Sequence, residues 1–149
     1  MRKTCLTSYI RSLTLLMVMV ALWGCSTISS FDQYAYTQTT SLKVDAMNIM
    51  DMAKDSVALH KKELMEFETN LQKVYEYEKN RPKNEITLKM WNLLLNPEGH
   101  LLGGFLNRWK STVSLSPAFI SNEKKLVSDA FDQIAGLESH KIKSTAVSN

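Results

Sequence analysis

From Ser30 to about Asn80 the chain contains neither glycine nor proline, and its apolar residues return every three or four positions. Leu42, Ala46, Ile49, Ala53, Val57, Leu64, Phe67, Leu71 and Val74 share one face of a 3.6-residue repeat. Tyr34 or Ala35 starts that row, and His60 fills the place between Val57 and Leu64. This spacing predicts a single spine helix of about 48 residues, about 70 Å long. Ser30 and Gln33 have the spacing of a capping box at its start. Asn80-Arg81-Pro82 ends it, because proline lacks a donor and restricts the residue before it.

The remainder reads as shorter helices. Asn84 is placed to cap a helix running to about Leu95, and Asn96-Pro97 offers a cap and a first-turn proline for another. Gly103-Gly104 predicts that a helix over 98–113 is broken or bent. Ser116-Pro117 repeats the cap-plus-proline signal for a last helix to about Ser139, with Leu126, Val127, Ala130, Phe131, Ile134 and Leu137 inward and Gly136 weakening its end. The tail 140–149 is polar. No segment alternates with period two for long, so the fold class is all-α: a long N-terminal spine packed by two or three shorter helices in an elongated bundle or hairpin.

The start of the chain differs in kind. Arg2, Lys3 and Arg11 are the only charges in residues 1–24, and the apolar run Leu13–Leu22 is too short to span a bilayer but suits the core of a secretory signal. The run ends in Leu22-Trp23-Gly24-Cys25, which resembles the lipobox of bacterial lipoproteins at Leu22, Gly24 and Cys25; Trp23 departs from the small residue usual there. The resemblance implies cleavage before Cys25, a diacylglyceryl group on its thiol and acylation of the new amine. It implies 1–24 as signal peptide, 25–30 as lipidated cysteine and short tether, and 31–139 as the helical domain. With Ser26 after the cysteine, it also implies outer-membrane delivery facing the periplasm.

Removing the signal changes what composition says. The full chain has 18 Lys+Arg against 15 Asp+Glu; taking Arg2, Lys3 and Arg11 from the eighteen leaves fifteen against fifteen. No basic patch is visible, so nucleic acid is not an expected partner. Cys5 leaves with the signal and Cys25 carries lipid, so the mature chain is expected to have no disulfide, thiol nucleophile or cysteine metal site.

Candidate sites are few. Lys89 to Lys110 packs Trp91, Phe105, Arg108 and Trp109 around the glycine pair, and these residue types dominate interface hot spots. The glycines would let a neighbouring backbone come close or let the segment hinge. The competing reading is a small core against the spine. Phe31, Tyr34 and Tyr36 follow the lipid and could brace the first turn on headgroups, or pack under the last helix. Met47, Met50, Met52 and Met65 could form an adaptable surface or plain core.

His60, His100 and His140 stand apart, and His60 with Glu63 supplies two ligands where a metal site needs three or four. Glu66 and Glu68, or Glu76 and Glu78, are two apart and so point to different sides; Glu76-Tyr77-Glu78-Lys79 reads as a solvated face. No catalytic motif and no cofactor is expected. The function expected is a non-enzymatic, membrane-anchored interaction or scaffold protein of the envelope. Its partner could be an envelope assembly, or a lysozyme or phage component that it blocks, and the spine could dimerise through its stripe. A lipid or small apolar ligand in a crevice around Trp91, Phe105 and Trp109 is the alternative, and an envelope enzyme is a third.

Overall fold

The computed structural model describes residues 29–139. The expected signal, Cys25 and the polar tail lie outside the described residues. Within them are five α-helices and no strand: α1 Gln33–Met52, α2 Lys61–Lys79, α3 Glu85–Leu95, α4 Leu102–Ser111 and α5 Pro117–Glu138, with a 3-10 turn at Val57–His60 before α2.

The predicted spine is two helices. The chain stops at Ala53, turns through Ser56 and runs back, so the stripe predicted for one helix is shared by an antiparallel pair that closes on itself. No breaker residue marks the corner. Instead the Ala53 and Asp55 N–H groups donate to the Met50 and Met52 carbonyls, and the Ser56 hydroxyl accepts from the Ala58 N–H. The carbonyls left over are satisfied from elsewhere: Leu115 N–H donates to Ala53 at 2.8 Å, and the Trp109 indole to Asp55 at 2.9 Å. An unbroken helix would leave much of its stripe in water. Folding back buries Leu42, Ala46 and Ile49 with Leu64, Phe67 and Leu71, and that gain outweighs the local preference for continuing. α1 is therefore about 30 Å long, not about 70 Å.

Asp32, not Ser30, caps α1: its Oδ1 accepts from the Ala35 N–H at 2.9 Å. Gln33 reaches forward to Thr37 instead of back. At the other helices the sequence signals fare better. Ser116 caps α5 with Pro117 in its first turn. Asn84 holds the cap position of α3, although its side chain is turned to other work. Pro97 opens only a turn, and α4 starts at Leu102.

α1, α2, α3 and α5 pack as an up-down-up-down bundle in which α1 neighbours α2 and α5, and α3 closes the ring between them. α3 is short, and α4 packs against α3 and α5 to fill the rest of that corner. The glycine pair makes this column possible without hinging it. Both glycines lie in the first turn of α4; a Cβ on Gly103 would overlap the Leu95 carbonyl, and one on Gly104 the Gly99 carbonyl. Trp91, Phe105, Trp109 and Phe131 form the centre of the core, Trp91 meeting Phe131 edge-to-face at 5.9 Å. Leu126, predicted inward, is about half exposed on the outer side of α5.

Candidate functional site

The four residues expected at a partner surface divide. Trp91, Phe105 and Trp109 are buried and take the core alternative. Arg108 is exposed and lies over the Phe119 ring, 4.4 Å from its centroid, with Phe119 stacked on Phe105. Neither tryptophan has any exposed surface. The methionines follow the same logic: Met50 is fully buried, Met47 and Met52 pack against the core, and only Met65 is well exposed. The stripe that could have paired with a second copy is turned inward by the hairpin.

The same segment does form an opening one turn away. Between α2, the α3–α4 turn and α4 lies an open groove of about 330 Å³. Leu71 and Leu106 form its floor, Tyr75 and Leu95 its walls. Gly103 keeps it clear, since the approach of the Leu95 carbonyl admits no side chain there. Its rim is polar. Lys110 pairs with Glu68 across the gap, and Asn107 donates to the Pro97 carbonyl at 3.2 Å. An apolar floor with a few oriented polar groups can accept an apolar side chain or a small apolar molecule. Leu71 belonged to the predicted core face and is buried, and nothing in its spacing said that the α3–α4 turn would leave an opening beside it.

A second unusual region lies at the pole where α1 begins and α2 and α5 end. Arg81 donates from both terminal nitrogens to the Glu138 carboxylate at 2.8 Å each, and from Nη1 to Glu78 at 2.9 Å. Asn84 donates to the Glu78 carboxylate at 2.6 Å and to its carbonyl at 2.8 Å. Both glutamates are almost completely buried, so Glu78 does not belong to the solvated face expected of its neighbours. The N-terminal segment is drawn into the network. Ser29 donates to Asn84, Arg81 donates to the Ser30 carbonyl, and the Asp32 N–H donates to Glu138 at 2.7 Å.

Burial pushes the Glu78 carboxyl above its ordinary range, although Asn84 and Arg81 pull the other way. Burial alone would lower the Arg81 guanidinium, but its bonds and charges with Glu138 and Glu78 raise it further. Asp32 is lowered, first by the Tyr77 hydroxyl that donates to it at 2.6 Å, and Tyr77 is raised by that same bond. Among the described residues, the cluster is internally saturated except at Glu78 Oε1, a buried oxygen with no partner among them. Its chemistry is that of a clamp: one fork-shaped cation holds two buried carboxylates and the backbone of the incoming chain.

The remaining expectations are placed as follows. Phe31 and Tyr34 are about half exposed at this pole, while Tyr36 is half-buried with its ring 6.3 Å from that of Phe31. His60 sits 3.7 Å from Asp55 and packs beside Trp109; Glu63 is exposed on the next turn, His100 is exposed, and His140 lies outside the described residues. Among the described residues no three His, Cys, Asp or Glu side chains are grouped as a metal site requires, and no helix is long and apolar enough to cross a membrane. Compared with protein-family models, curated proteins and solved structures, the chain matches none.

Proposed function

We propose that this chain is a lipid-anchored interaction protein of the bacterial envelope, held through Cys25 at the periplasmic face of the outer membrane and acting without catalysis. The groove carries the partner-binding half of the reading. There an apolar floor, Leu71 and Leu106, lies beneath an opening flanked by oriented polar groups. It suits an apolar anchor residue from an envelope protein, with Glu68, Lys110 and Asn107 fixing its direction at the rim. The lipobox resemblance supports the anchor. The cation and the carboxylate lining the groove, Lys110 and Glu68, are already paired with each other, which suits recognition better than proton transfer.

Its volume of about 330 Å³ also favours a second reading, a small apolar ligand in the same groove. Photo-crosslinking in the native envelope separates the two. Probes replace Gln72 and Asn107 at the groove, with a control at Asp132 between α1 and α5. A single protein captured from the groove probes and absent from the control is the expected result. Lipid alone would replace the first reading by the second, and identical products from all three positions would overturn both.

A further inference from the structure

The pole that holds the clamp is also the point from which the chain leaves toward Cys25. Ser29 is buried and hydrogen-bonded to Asn84, and Ser30 and Asp32 are held by Arg81 and Glu138. The expected tether is therefore shorter than residues 25–30 suggest. Only residues 26–28 separate Cys25 from the fixed Ser29, a reach of no more than about 14 Å.

Three rings are presented around that exit. Phe31 is 45% exposed, Tyr34 49% and Tyr77 36%, with Tyr34 and Tyr77 in edge contact at 4.7 Å. Beside them lie Lys79, at the end of α2, and Lys83, in the α2–α3 loop, both exposed. Lys83 sits at φ 57°, a left-handed conformation that glycine or asparagine would adopt at less cost. Charge does not set this pole apart: Glu76 pairs with Lys79, and Glu85 is also exposed. Apolar rings, two of them carrying a hydroxyl, a balanced rim and a very short leash suit the headgroup layer of a bilayer, where aromatic residues settle irrespective of lipid charge.

We propose that this pole, Phe31, Tyr34 and Tyr77 together with the α2–α3 loop, seats directly on a lipid surface and holds the bundle in a fixed orientation above it. The inference rests on the anchored reading and goes further, because a lipid anchor alone would leave the body free to tumble. It also places the groove. Glu68 to Tyr75 lie four to eleven residues from the end of α2 at Lys79, which is about 6–17 Å along the helix. A partner in the groove must then itself lie close to the membrane.

The mature chain is expected to offer no free thiol, so single nitroxide labels can be introduced through Tyr34→Cys, Lys83→Cys and Val113→Cys. Val113 is 80% exposed in the loop before α5, at the opposite pole. The full chain is produced in a bacterium, its mass is measured, and it is reconstituted in phosphatidylcholine vesicles. Collisions with oxygen, which concentrates in lipid, are compared with those of a water-soluble nickel chelate. The expected result is loss of nickel relaxation at 34 and 83 and full nickel access at 113, unchanged by salt.

An acylated chain with all three positions equally open to nickel would overturn the seat while leaving the anchor intact. An unacylated chain would overturn the anchor. The same labels on the expected mature chain, residues 25–149 with Cys25→Ser, mixed with the vesicles would then decide the seat alone, lipid contact at 34 sustaining it and none ending it.

Discussion

The indole N–H of Trp109 donates to the main-chain carbonyl of Asp55 across 54 residues of sequence, at 2.9 Å. One side chain of α4 thus finishes the corner at which α1 turns into α2. With Leu115 bonded to Ala53, it supplies from outside what a helix stop residue would supply locally. Trp109→Phe should retain most of the packing but leave the Asp55 carbonyl without this donor. A cost of about 1–3 kcal/mol is expected in urea unfolding. Trp109→Ala should cost about 3–5 kcal/mol, with cooperative melting lost before helicity is.

Among the described residues, Arg81 is the only counter-charge within bonding distance of two buried glutamates. Arg81→Ala should therefore destabilise by roughly 3–5 kcal/mol, the range for stranding buried charge. Arg81→Lys should rescue little, since an ammonium cannot hold Glu138 with two parallel bonds and reach Glu78 and Ser30 as well. Limited proteolysis reads the second consequence: cleavage near residues 29–31 should appear in either variant and be slow in the parent.

The two shifted carboxyls of this pole predict opposite pH slopes. Glu78 is raised chiefly by burial, so the folded chain binds more protons than the unfolded one above the ordinary glutamate range. Its contribution is present below that range and is lost as pH rises through the folded value. Asp32 is lowered chiefly by the Tyr77 hydroxyl; its contribution is present above the ordinary aspartate value and lost as pH falls through the folded one. Glu78→Gln should flatten the upper slope and leave the acid limb in place. Unfolding midpoints from pH 3 to pH 8 check this, and an unchanged upper slope would show that Glu78 is not its source.

Replacing glycine by alanine in a helix ordinarily stabilises it by up to about 1 kcal/mol. Gly104→Ala should do the reverse, because the new Cβ would meet the Gly99 carbonyl, which is backbone and cannot swing away. A loss of at least about 1–3 kcal/mol is expected, as for an overpacked core. Gly103→Ala should behave alike through Leu95, and should also narrow the groove.

Much of the fold was legible where its cause is local. The Ser116-Pro117 start of α5, the cap position of Asn84 and the inward stripe of α1 and α2 all follow from neighbouring residues. The corner at Ala53–Ser56 was not, because its carbonyls are satisfied by Leu115 and Trp109, which sequence spacing does not bring near. Glu78 misled for the same reason. Between Glu76 and Lys79 it reads as surface, and the Glu138 that shares its arginine lies sixty residues further on. The glycine pair correctly announced a close backbone approach, but not that Leu95 and Gly99 would make it. The groove was the least visible, being defined by how the α3–α4 turn and α4 meet α2, which spacing along α2 does not reveal.

The clamp also fixes how the molecule bears a load. Tension on the N-terminal segment would not peel α1 away residue by residue. It reaches Asn84 at the head of α3, Arg81 beyond α2 and Glu138 at the foot of α5 through Ser29, Ser30 and Asp32. Three helices share the pull in shear before the first turn of α1 can unwind, so a molecule tugged from that end should yield all at once.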